Sequence, residues 1–312
     1  MKYTFLLPAF KAQYLEKALA SILAQTYSDF KVIVSDDFSP EDLHSIVAKY
    51  EDERVTFRRN ESNMGHDSLV AHWNLLLDLC DTEFCILASD DDVYDSHFLE
   101  EIDALTKRYP QVDLFHARAQ CIDAKGDAFK EDALYKEFVC QLEYFEQLDF
   151  YHHIECVANY VYRTRALKEM GGFVDYPLAW SSDTATCNLM AKNGVVNTAN
   201  ILFGFRMSGI NISSQTNDNK DVSRLKFKAC CLYDEFMRKL LATIQPGDTL
   251  LEQYRYEQVG RNHRKRMAGL IAWQSVNLPL RDFISYLRTY RKLGYINSLF
   301  VIVKKWLAAR LK

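Results

Sequence analysis

Residues 3–37 read YTFLLPAFKAQYLEKALASILAQTYSDFKVIVSDD. Thr4–Leu7 is a short apolar run ended by Pro8. Leu15, Ala18, Leu19, Ile22 and Leu23 then recur at i, i+3, i+4, i+7 and i+8, the spacing of an amphipathic helix. Phe30–Ser35 is rich in β-branched residues and reads as a buried strand. A strand, a helix and a strand in this order form a βαβ unit, whose two strands pair in parallel.

The pattern continues outward from this unit. Ser39 and Pro40 suit the N-cap and first turn of a helix reaching about Tyr50. Val55–Arg59 is strand-like, Leu69, Trp73, Leu76 and Leu77 mark a helix, and Phe84–Ala88 is the next strand. Ser96 is placed to cap a helix that Pro110 ends, and Val112–Ala117 is again strand-like. Lys125-Gly126 suits a hairpin turn. Helices are expected over Thr164–Met170 and Ser181–Lys192, with Gly171-Gly172 as a stop between them. Ile201–Arg206 reads as a strand, and beyond Asp218 the chain reads as all helix. The expected fold is α/β, a mostly parallel sheet flanked by helices over residues 1–217, followed by a helical region over residues 218–312.

Composition removes several classes of function. Of 312 residues, 48% are hydrophobic and 26% charged, which is ordinary for a globular protein and excludes disorder as the main state. A formal charge of −4 argues against a nucleic-acid binder. The eight cysteines form no C-x-x-C pair, so a zinc ribbon has no support, and reduced, buried thiols in a cytoplasmic chain are expected. The N-terminus lacks the features of a signal peptide, and no apolar run is long enough to cross a membrane.

In parallel sheets, ligands bind beyond the carboxyl ends of the strands. Here those ends carry Pro8-Ala9-Phe10, Asp36-Asp37 and Asp90-Asp91-Asp92. Three adjacent ionised carboxylates repel one another, and a divalent cation such as Mg²⁺ or Mn²⁺ is a natural compensation. An acidic helix N-terminus is the alternative for the triple aspartate, and an Asx-turn is the alternative for Asp36-Asp37.

Five segments in order resemble family 2 glycosyltransferases and their GT-A nucleotide-sugar-binding fold. They are Phe5–Asp37, the stretches NESNMG and HWN (Asn60–Gly65 and His72–Asn74), ILASDDDVYDSHFLEEI, Gly171–Gly194, and FRMSGINIS (Phe205–Ser213). The resemblance covers about residues 3–215. It implies that Pro8, Ala9 and Phe10 line a nucleobase pocket and that Asp37 accepts a hydrogen bond from the base. It places Asn63, Gly65 and Asn74 on the donor side, Asp90 on the ribose, and Asp91 and Asp92 on a Mn²⁺ or Mg²⁺ ion. Arg206 would steady the diphosphate or a closing loop. Asp183 matches the catalytic base, although the first turn of a helix is its plainer role.

The implied activity is metal-assisted, inverting transfer from a nucleoside diphosphate sugar, a UDP-sugar favoured, to a hydroxyl of a glycan or lipid-linked acceptor. Bacterial surface polysaccharide assembly is the implied process. A Q-x-x-R-W motif is absent, which favours transfer of one sugar per acceptor. A sugar nucleotidyltransferase and a non-catalytic sugar- or nucleotide-binding module are the alternatives. The chain departs from the family pattern at Phe38, where a D-D-G-S turn has Gly, at Ser182, which replaces the Glu of an E-D pair, and at Ser208, which replaces a frequent His.

His152-His153 is not read as a metal site, because adjacent histidines point apart and H-E-x-x-H is absent. A place near the acceptor is the more plausible role for either, while His116 reads as surface or core. Trp180 is open between sugar stacking and core packing. Arg281–Lys312 holds eight Lys/Arg against one acid, a local +7, so the preceding 280 residues carry −11. Leu299, Val303, Trp306 and Leu307 fall on one helical arc. That suits a helix lying on the inner face of an anionic membrane. Packing on the protein or in a homodimer is the alternative.

Overall fold

The computed structural model describes residues 1–150, 153–209, 220–275, 278–292, 294 and 299–308. The opening βαβ unit forms as its apolar spacing dictates. Strand β1 (Tyr3–Ala9) runs into helix α1 (Ala12–Leu23), which buries Leu15, Ala18, Leu19 and Ile22, and β2 (Phe30–Asp36) returns in parallel with Tyr3 opposite Phe30. Then follow α2 (Leu43–Val47), β3 (Val55–Arg59), α3 (Gly65–Asp78), β4 (Phe84–Leu87), β5 (Val93–Tyr94), α4 (Phe98–Arg108) and β6 (Leu114–Ile122). The remaining strands and intervening helices are β7 (Ala128–Glu131), β8 (Phe138–Val139), α5 (Gln141–Phe150), β9 (Tyr160–Arg163), α6 (Thr164–Glu169), α7 (Ser182–Met190) and β10 (Val195–Arg206).

The strands make one mixed sheet in the order β3-β2-β1-β4-β9-β6-β10-β5, with β7 paired to β6 and β8 to β10. The pairs β3/β2, β2/β1, β1/β4 and β6/β10 are parallel. The inserted β9 is antiparallel to both β4 and β6 and interrupts the expected parallel order. The main core packs under this sheet around Phe5, Phe30, Phe84, Tyr94, Phe98 and Phe115. Full burial of each such side chain contributes about 1.5–3 kcal/mol.

Two expected helix starts differ. α2 begins at Leu43, because Asp42 caps it by accepting from the Ser45 N–H, while the Ser39 hydroxyl donates to the Phe10 carbonyl at 2.6 Å. α4 begins at Phe98 and not after a Ser96 cap; Asp95 Oδ1 accepts from the His97 N–H.

The chain divides into two compact units, residues 1–175 with 182–210, and residues 176–181 with 211–312. The second holds the helices α8 (Lys220–Thr243), α9 (Leu250–Ser275), α10 (Leu280–Lys292) and α11 (Leu299–Ala308). Within it, the Phe227 and Tyr286 rings stack at 3.5 Å, and His263 Nε2 lies 3.1 Å from the fully buried Asp234. Trp306 turns inward, stacking on Phe283 at 4.5 Å and donating from Nε1 to the Leu278 carbonyl. Among the described residues, no helix is long and apolar enough to cross a membrane.

Candidate active site

The carboxyl ends of β1, β2 and β4 are stitched together by specific hydrogen bonds. The Asp37 N–H donates to the Ala9 carbonyl at 2.9 Å, extending the β1/β2 ladder, in which Pro8 faces Ser35 and Ala9 faces Asp36. One oxygen of Asp90, at the end of β4, accepts from both the Phe10 and Lys11 N–H groups at 2.8 Å. Burial raises the Asp90 carboxyl above its usual range, and these two donors oppose the shift. Phe10 keeps its ring partly exposed at this junction.

The protein itself supplies donors to the β2 end. Asp36 pairs with Arg59 and accepts from the Ser39 N–H. Asp37 accepts from Asn60 Nδ2 and the Met64 N–H on one oxygen, and from the Gly65 N–H on the other. Gly65 is required there, because a Cβ would stand 2.9 Å from that second oxygen. Asn63 Oδ1 accepts from the His66 N–H and shapes the same turn. Phe38 keeps the left-handed geometry of a glycine turn (φ 58°), with the Arg59 guanidinium 5.0 Å from its ring. A bulky residue in that region stores backbone strain, which collects at functional loops.

The β4 end is crowded. Ser89 donates to Asp91, and Asp92 Oδ1 accepts from the Arg206 N–H at 2.8 Å. Burial and then the charge of Asp91 push the Asp92 carboxyl well up. The Cys156 thiol lies 3.8 Å from Asp92 Oδ2. It too is pushed up, by burial first and then by the charges of Asp92, Asp183 and Asp91. Asp183 therefore lies within electrostatic reach of the same locus, in the first turn of α7, where it accepts from the Thr184 N–H. The chain enters that turn through three left-handed non-glycine residues, Leu178, Ala179 and Ser181.

Residues 4–171, more than half of the chain, match the family model described as Glycosyl transferase family 2. The chain belongs to that family. Solved structures agree on the fold. S. aureus TarS 1-349 in complex with UDP-GlcNAc is 17% identical, with 99% of this chain and 92% of that chain covered and a TM-score of 0.61. The mannosyltransferase PcManGT from Pyrobaculum calidifontis, in complex with GDP-Man and Mn2+, is 13% identical, with 100% and 86% covered and a TM-score of 0.53. The protein is a family 2 glycosyltransferase with a GT-A-like domain and a helical C-terminal region.

Two of the residues that the sequence proposes for the site hold this glycosyltransferase's own backbone. Asn74 clamps Phe173, donating to its carbonyl at 3.1 Å and accepting from its N–H at 2.8 Å, and Gly172 (φ 87°) leaves room for that amide. The Arg206 guanidinium is buried; it donates to the carbonyls of Asp91 and Asp123 and lies 4.6 Å from the Tyr14 ring. It braces the Asp91-Asp92 turn from behind. The part of the FRMSGINIS stretch from Ile210 onward, and His152, lie outside the described residues. Trp180 carries the buried Lys226 ammonium 4.2 Å from its ring.

The β4 end fits a hard divalent cation. It offers the carboxylate oxygens of Asp91 and Asp92, and burial and then the charge of Asp91 lift Asp92, a condition that a cation relieves.

The His116 and His153 rings lie 4.6 Å apart, centre to centre. Both stand beside Asp132 in a buried cluster. Burial lowers His116 to about 4 and raises Asp132 to about 6. Sequence spacing gives no sign of this cluster, because β6, β7 and the segment before β9 bring it together.

Proposed function

We propose that this glycosyltransferase moves one sugar from a nucleoside diphosphate sugar, a UDP-sugar favoured, to a hydroxyl of a glycan or lipid-linked acceptor. The transfer inverts the anomeric centre and is assisted by Mn²⁺ or Mg²⁺. The observation that supports this reading is the hydrogen-bonded junction of the β1, β2 and β4 ends, with Cys156 at Asp92 and Asp183 charging the same thiol. The UDP-GlcNAc and GDP-Man of the two solved structures support a nucleotide-sugar donor.

In this reading Pro8, Ala9 and Phe10 line the nucleobase pocket, and Asp37 reaches the base with its remaining acceptor capacity while fixing the Asn63–Gly65 turn. Asp90 holds the ribose and sets the β1–α1 loop. Asp91 and Asp92 hold the cation, with Arg206 bracing them and Asn74 bracing the segment that leads to Asp183. When bound, the cation supplies Lewis-acid neutralisation of charge on the departing diphosphate. Asp183 takes the proton of the acceptor hydroxyl at a carboxylate oxygen. The hydroxyl oxygen bonds to the anomeric carbon from the face opposite the donor, and the old bond's electron pair leaves with the diphosphate. Holding both substrates in line contributes much of the acceleration.

Assembly of a bacterial surface polysaccharide on the cytoplasmic face of the membrane is the proposed setting. With Trp306 turned inward, α11 presents Phe300 and Leu307 outward among the described residues, and these would touch a lipid surface.

The test is a thermal-shift screen of UDP-, GDP-, CMP- and dTDP-sugars with Mn²⁺ and with chelator. One diphosphate class should stabilise the protein in the presence of metal, as ligand linkage requires. Absence of any response in all arms would sink the reading.

A further inference from the structure

We propose that His116, Asp132 and His153 form a second, structural metal site of the zinc class, separate from the Asp91-Asp92 cation. The three residues come from separate segments: His116 from β6, Asp132 from the residue after β7, and His153 from the approach to β9. Each offers a ligand atom within 4.8 Å of the others. Asp132 Oδ2 stands 3.6 Å from His116 Nε2 and 3.6 Å from His153 Nδ1. A tetrahedral zinc ion with bonds of roughly 2.0–2.1 Å spaces its ligands about 3.3 Å apart, so the two pairs with Asp132 need only a small contraction.

Two further observations point to an ion. Asp132 is buried and its Oδ2 has no hydrogen-bond partner, although its Oδ1 accepts from the Ala133 N–H, the Ile154 N–H and the Tyr135 hydroxyl. A buried carboxylate oxygen aimed between two imidazoles without a donor is costly, and an ion removes that cost. The surroundings also fix the His116 tautomer. Asn197 Nδ2 donates to the Lys136 carbonyl, so Asn197 Oδ1 faces His116 and accepts from its Nδ1 at 3.0 Å. His116 Nε2 is thereby left with a lone pair toward Asp132, the outer-shell arrangement that orients metal-binding histidines. Asn159 Nδ2, 3.0 Å from that nitrogen, also reaches the carbonyls of Ala117 and Ile154 and keeps both when an ion takes the lone pair.

Two imidazoles and one carboxylate favour zinc over magnesium or calcium, and the Tyr135 hydroxyl, 3.0 Å from His153 Nδ1, lies beside the fourth position. The ion would staple β6 and the segment after β7 to the segment that carries Cys156 to Asp92. Burial of all three ligands implies that loading accompanies folding.

The test uses the full chain produced in medium supplemented with Zn²⁺ or Co²⁺, washed with dilute chelator, and assayed by mass spectrometry for metal per chain. About one tightly held zinc per chain is expected, with the visible absorption of a tetrahedral nitrogen–oxygen site in the cobalt form. Asp132→Asn and His116→Gln should each lose the ion, whereas Asp91→Asn/Asp92→Asn should keep it. Background metal in wild-type protein overturns the proposal regardless of how the variants fold, and is the result expected if a proton shared with a histidine serves Asp132 instead. Retention of the ion by Asp132→Asn and His116→Gln, or a cobalt form without tetrahedral absorption, overturns it as well.

Discussion

Strands β2 and β4 both end in adjacent aspartates, and the two ends are treated differently. At β2, a guanidinium meets Asp36 and three donors meet Asp37, so the protein itself supplies the compensation. At β4, the charges of Asp91 and Asp90 act on the buried Asp92, and the buried Arg206 donates from its side chain to the Asp91 and Asp123 carbonyls. Burial and its neighbours' charge push Asp92 up. The contrast separates carboxylates met by a guanidinium and several donors from one lifted by burial and its neighbours' charge. Sequence shows the same letters at both places; only the donors brought in by folding tell them apart.

Replacing carboxylates should expose this difference. Asp91→Asn/Asp92→Asn should lower turnover most, by about a thousandfold, because several kcal/mol of charge stabilisation is lost. Its melting temperature should hold or rise, since like charges are removed. A steady-state assay beside a melting curve checks both parts. Asp183→Asn should reduce turnover by about 10²–10⁴-fold. Donor-induced thermal stabilisation should persist in this variant; unchanged turnover would remove Asp183 from its role.

Asp37→Asn should act in the opposite sense to the β4 pair. An amide NH₂ would face one of the three donors, which costs about 1–3 kcal/mol of stability. Denaturant titration reads this directly, and unchanged stability would erase the distinction between the two strand ends. The smallest effect concerns His72, whose Nε2 is 2.9 Å from Ser35 Oγ and whose Nδ1 lies 3.7 Å from Asp37. Burial lowers its pKa below 6.5, and Asp37 opposes the shift. The unfolded chain therefore takes up this proton first as pH falls below 6.5, so His72 makes stability decline on the acid side. His72→Gln should flatten that slope in denaturation curves at about pH 7.5 and about pH 5.5.

Much of the fold was legible because α1 carries the period of an amphipathic helix, β1, β2 and β4 are apolar or β-branched runs, and the family motifs sit at their ends. Strands of two to four residues, such as β5, β8 and β9, were not, since so few residues cannot display a period. The triple aspartate stood out as candidate chemistry from its letters, and Asp183 did so only through the family resemblance. The engagement of Asn74 and Arg206 with backbone was not, because it depends on carbonyls and N–H groups that carry no sequence signature. The tail carries both of its readings for a related reason. An apolar arc with Trp306 looks the same whether it meets lipid or, as Trp306 does, stacks on Phe283.

Calorimetric titration of UDP and GDP into the wild-type chain and into Asp91→Asn/Asp92→Asn, each with Mn²⁺ and with chelator, probes the β4 end most directly. Binding of one nucleotide should require Mn²⁺ and should vanish in the double variant while Asp37 stays intact. Equal affinity with and without metal, or undiminished metal-dependent binding by the double variant, would contradict the assignment of the cation to Asp91 and Asp92.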